Sequence, residues 1–60
     1  MKMTKQQLYA IQEYCWNNYC LVEIFLENLE YELGKEKIAK IENKIITTTS
    51  GNEIKFSEII

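Results

Sequence analysis

From Leu8 to Leu33 the chain contains neither proline nor glycine, and Gly34 follows at once. A run without these breakers favours one long helix, because nothing in it removes a backbone donor or demands an unusual backbone conformation. Its ends carry matching signals. Thr4–Gln7 has the Thr-x-x-Gln form of a capping box just ahead of Leu8, the first residue of an apolar period. Gly34 suits the left-handed position that closes a helix. The expected first helix spans about residues 5–33.

At about 100° per residue, Leu8, Ile11, Tyr14, Cys15, Tyr19, Leu21, Val22, Phe25, Leu26, Leu29 and Leu33 fall in one arc of roughly 160°. That arc is the expected core face. Asn18 lies near its centre, where an amide is costly unless partnered. It is expected either to fix the register of a dimer by pairing with its symmetry mate or to bond within its own chain. A second stripe of Tyr9, Trp16, Cys20, Ile24 and Tyr31, bordered by Glu13 and Glu27, lies nearly opposite. So short a chain offers little to cover both sides of a long helix. The second stripe is therefore the expected partner-binding face, with aromatics of the kind enriched in protein interfaces. The competing arrangement is a splayed helix pair that half-buries these aromatics within one chain.

Beyond Gly34, Ile38, Ile41 and Ile45 recur at i, i+3 and i+7 among Lys35, Lys37, Lys40 and Lys44, which predicts a second, amphipathic helix over about 35–44. The short connection makes it antiparallel to the first. Residues 45–60 combine the β-branched run Ile45–Thr49, a Ser50-Gly51-Asn52 turn cluster and the alternating Ile54-Lys55-Phe56. They predict a small β-hairpin, with a continued helix followed by a loop as the alternative. The expected fold is mainly α: a long and a short antiparallel helix with a C-terminal hairpin, all in one domain covering residues 1–60.

A chain of 60 residues buries only about 60% of its unfolded surface, so its core needs a supplement. Cys15 and Cys20 lie about 140° apart on a continuous helix and cannot bridge there. Two thiols without histidine make half a zinc site. Self-association, as a helix-mediated homodimer, is the supplement expected, and an oxidised Cys20 could join two chains. No secretory signal precedes the polar Thr4–Gln7 stretch, and the apolar region is too short and too interrupted to span a bilayer. A cytoplasmic location, in a bacterial cell or a phage-infected host, is expected.

Residues 1–33 carry two lysines against five glutamates, and residues 34–60 carry five lysines against four glutamates. The halves are thus net −3 and +1. Glu23, Glu27, Glu30 and Glu32 oppose the dipole of the first helix, so they either pair with lysines of the second helix or form an acidic patch for a basic surface. Without histidine the ordinary Ser-His and Cys-His arrangements cannot be built, and Gly34 and Gly51 are too isolated to cradle phosphate. No enzyme, cofactor or metal is expected. The chain lacks arginine for bidentate guanine contacts, which disfavours nucleic acid. These features lead to a non-enzymatic interaction protein that binds itself and one host protein. Lysine-only basicity with abundant Ile and Asn adds a codon argument for a small phage or mobile-element inhibitor, including one directed at host defence. The alternatives are a small DNA-binding regulator using the lysine-bearing helix, or a passive structural subunit.

Overall fold

The computed structural model describes residues 3–60. In chain order it contains α1 (Lys5–Asn17), α2 (Val22–Leu33), β1 (Ile38–Glu42), β2 (Ile45–Thr48), β3 (Glu53–Lys55) and α3 (Phe56–Ile59). The strands form one antiparallel sheet in the order β1-β2-β3. This is a mixed α/β globule, which replaces the mainly helical architecture expected from periodicity. Two departures account for the difference. The long helix is broken in the middle, and the lysine-bearing segment is a strand.

α1 starts where the capping box places it. Thr4 Oγ1 accepts a hydrogen bond from the Gln7 backbone N–H at 3.1 Å, and Gln7 Oε1 accepts from the Thr4 N–H at 3.0 Å. It stops at Asn18, although no glycine or proline is there. The Asn18 side-chain amide donates to the Tyr14 carbonyl at 2.9 Å, and the Asn18 N–H is shared between the Tyr14 and Cys15 carbonyls. Asparagine satisfies terminal carbonyls in this way, so it favours helix ends over helix interiors. Tyr19 then takes a left-handed φ of 55°, and the Cys20 N–H donates back to the Cys15 carbonyl at 3.0 Å. This is the six-to-one bond of a Schellman closure, with tyrosine where glycine is usual. A left-handed L-residue costs about 1–2 kcal/mol. Leu21 is extended, and α2 begins at Val22 without a side-chain cap.

The break divides the expected core stripe between the inner sides of two helices. Ile11 and Cys15 from α1 meet Phe25, Leu29 and Leu33 from α2, together with Ile46, Phe56 and Ile59. At the centre three rings touch. Tyr14 and Phe25 lie 5.8 Å apart, Tyr14 and Phe56 5.0 Å, and Phe25 and Phe56 5.3 Å, with steeply inclined planes. Such pairs add about 0.5–1.5 kcal/mol each beyond the area they bury. The cluster joins α1, α2 and α3, and the Asn28 amide ties α2 to the Ile59 carbonyl at 3.3 Å.

β1 shows why helical spacing misled. Ile38 pairs with Thr48 and Lys40 with Thr47, so Ala39 is an extra residue in the ladder, a β-bulge. In a regular strand, residues three apart face opposite ways. The bulge restores Ile38 and Ile41 to the same side, and both pack on the core. Asn43 and Lys44 both have positive φ, 53° and 62°, and form the two-residue loop of a primed hairpin turn between Glu42 and Ile45. The turn cluster at Ser50–Asn52 joins β2 and β3. Its Asn52 N–H donates to Thr48 Oγ1 at 3.1 Å and its Asn52 amide to Glu36 at 2.7 Å, with Ser50 Oγ also on Glu36. The buried Thr48 hydroxyl is thereby satisfied.

Replacing Tyr19 with glycine distinguishes this turn from a continuous helix. Tyr19→Gly is expected to raise stability by about 0.5–1 kcal/mol in urea melts, because the side chain is exposed and its φ suits glycine. In an unbroken helix the same change costs about 1 kcal/mol.

Candidate functional site

The turn divides the expected partner-binding stripe between two helices. Tyr9, Glu13 and Trp16 recur at i, i+4 and i+7 on α1, opposite the buried Ile11 and Cys15. Ile24, Glu27 and Tyr31 occupy the corresponding outer side of α2, opposite Phe25, Leu29 and Leu33. All six are exposed, with Trp16 at 72% and Tyr31 at 86%. Cys20 departs from the set: it is half-buried and packs against the core at the junction.

Two residues assigned to the core by periodicity stand outside it. Tyr19 is 99% exposed and Leu21 is 67% exposed. They sit in the link between Trp16 and Ile24, so exposed apolar side chains continue from α1 into α2. Six of the seven large hydrophobic residues exposed in the described part of the chain lie between Tyr9 and Tyr31, Ile60 being the other. Scattered exposed hydrophobics are ordinary, but here they are concentrated on one pair of helices and their link. The local signal for a break ahead of Tyr19 is the Asn17-Asn18 pair, since asparagine favours helix ends.

Asn18 is not at the centre of a helix-core face. It is exposed at the end of α1, and its amide is committed to the Tyr14 carbonyl. Nor do the lysines form a helical row. Lys35 and Lys37 precede β1, Lys40 lies on it 3.6 Å from Glu42, and Lys44 is in the hairpin loop. The expected recognition helix of a DNA-binding regulator is thus replaced by an edge strand, and the expected pairing of the α2 glutamates with a second helix has no such helix to use. α2 instead presents Glu23, Glu27, Glu30 and Glu32 exposed.

Beside α1 a shallow cleft of about 270 Å³ runs between Glu13, Tyr14, Asn18 and the Asn43–Lys44 loop. It falls just below the range of about 300–1,000 Å³ of ordinary small-ligand pockets, and its rim is polar. Among the described residues no helix is long and apolar enough to cross a membrane, and no cluster of three or more metal-ligating side chains forms. No family model, curated protein or solved structure matches this chain.

One titratable group in the core is strongly perturbed. Burial, and then the hydrogen bond and charge of neighbouring Cys20, push the Cys15 thiol from 9.0 up to about 12. The folded chain therefore keeps its proton where the unfolded chain has lost it. Stability from this group is complete below pH 9 and falls as pH rises toward 12, by at most about 1.4 kcal/mol per pH unit. Urea melts of the native chain and of Cys15→Ala across this range should diverge, with the native chain losing more. Parallel losses would contradict the assignment.

Proposed function

We propose that this protein is a non-enzymatic binding protein whose outer α1–α2 surface docks on a basic region of another protein. The observation that carries this reading is the concentration of Tyr9, Trp16, Tyr19, Leu21, Ile24 and Tyr31 on two helices that also expose Glu13 and four glutamates of α2. Aromatic side chains supply large contact area with few rotatable bonds, and their faces attract lysine and arginine. Glutamates around them steer a cationic partner and disfavour an acidic one. A two-fold contact between copies of this chain through this surface sets two equally acidic faces against each other. A basic partner answers the charge, whereas a second copy repeats it.

A binder of this size acts by occupying its partner's surface, which is how a small inhibitor without catalytic groups works. The expectation of an inhibitor carried by a phage or mobile element belongs to this same proposal. It is supported by the lysine-only basicity and the abundance of isoleucine and asparagine.

The test is a titration of the isotopically labelled protein with an arginine-rich peptide, followed by amide chemical shifts and Trp16 fluorescence. The expected shifts centre on Tyr9, Glu13, Trp16, Ile24, Glu27 and Tyr31, and binding weakens as salt is raised. Trp16→Ala, at an exposed position, should leave the fold intact and weaken binding at least about tenfold. Shifts confined to the sheet, or no binding at millimolar peptide, would contradict the proposal.

A further inference from the structure

The turn between α1 and α2 does more than present Tyr19 and Leu21. On a continuous helix the Cα atoms of residues five apart are separated by about 8.7 Å and point about 140° apart. That geometry forbids a disulfide between Cys15 and Cys20. The Schellman closure removes the obstacle, because the Cys20 N–H donates to the Cys15 carbonyl at 3.0 Å. Bond lengths add only about 2.4 Å from that oxygen to its Cα and about 1.5 Å from that nitrogen to its own. The two Cα atoms are therefore less than about 7 Å apart even if every segment were collinear, and any bend brings them within the disulfide range of about 4.4–6.8 Å. In this motif the residues at these two positions make the hydrophobic contact that closes the turn. Here both are cysteine, one fully buried and the other half-buried against the same core.

We infer that Cys15 and Cys20 form a reversible intrachain disulfide that staples the α1–α2 turn when the protein meets a low-molecular-weight disulfide such as oxidised glutathione. Cys20, the more accessible thiol, reacts first: its thiolate attacks one sulfur of the glutathione disulfide, a mixed disulfide forms, and one glutathione thiolate leaves. Cys15 then gives up its proton to solvent, its sulfur attacks the Cys20 sulfur, and the second glutathione is displaced. Two protein thiols are oxidised and one glutathione disulfide is reduced to two thiols. The attack on Cys20 quickens with pH, because burial keeps Cys15 protonated.

A bond across this turn links the end of α1 to the start of α2 without altering the exposed side chains. It removes conformational freedom from the unfolded chain and fixes the left-handed Tyr19 that glycine would otherwise fill. Folding and oxidation then favour each other. The reduced and oxidised forms differ in the rigidity of the surface between Trp16 and Ile24.

The experiment equilibrates the full-length native protein in glutathione redox buffers, quenches with acid, alkylates the remaining thiols and measures intact mass. The expected product is a single chain lighter by two hydrogen atoms, without alkyl groups at either cysteine, and restored by a dithiol reductant. Its ratio to reduced protein in a given buffer should be at least about tenfold higher for the folded chain than for the chain in urea. Cys20→Ser should abolish that species. A lasting glutathione adduct on Cys20 would overturn the inference, as would a disulfide joining two chains or a native pair no easier to oxidise than the unfolded one.

Discussion

The left-handed turn at Tyr19 is the constraint on which the rest of this structure depends. Without it, Tyr14 and Phe25 would be separated by about 16 Å along a helix axis, too far for Phe56 to touch both. With it, α1 folds against α2, and the three rings meet at the centre of the chain. The strain of a non-glycine residue at positive φ is offset by core contacts made on both sides of the turn, including the fully buried Ile11, Cys15, Phe25 and Leu29. In so small a domain, whose core supplies only about 3–5 kcal/mol of net stability, one such turn decides whether a core forms within a single chain.

The sheet completes that core economically. β2 contributes Ile46 and Thr48, both buried, and its neighbours cover the remaining side with half-buried Ile38, Ile41 and Ile54. α3 then closes the end with Phe56 and Ile59, held by the Lys55 N–H donating to Glu58 at 3.1 Å and by the Phe56 N–H donating to the Lys44 carbonyl at 3.0 Å. Because these elements cover the inner faces of both helices, the outer faces of α1 and α2 are left to solvent. The exposed Tyr9, Trp16 and Tyr31 are a consequence of that division: each is on the side of its helix away from the buried residues.

How far this could be read beforehand differs from element to element. The start of α1, the glycine at the end of α2 and the turn at Ser50–Asn52 are local features, written in residues that cap or turn by their own chemistry. Helical periodicity also separated Ile11, Cys15, Phe25, Leu29 and Leu33 from Tyr9, Trp16, Ile24 and Tyr31, because α1 and α2 each keep the period. It failed at the break itself, where Tyr19 and Leu21 lie in the link outside both helices, and so it placed them inside. It failed again at β1, where a bulge at Ala39 reproduces on a strand the i, i+3 spacing of a helix. The acidic and aromatic character of the candidate surface was legible; its division between two helices joined by a tight turn was not, since a turn with tyrosine at its left-handed position leaves only the preceding asparagines as a signal.

The central claim is that α1 and α2 fold back at residues 18–21 and bring Tyr14 into contact with Phe25, and nuclear Overhauser effects between those two rings test it most directly. The structure places their centroids 5.8 Å apart, so cross-peaks between their ring protons are expected in the monomer at low concentration. Helical sequential contacts running unbroken from Asn17 to Val22, with no Tyr14–Phe25 cross-peak, would contradict it.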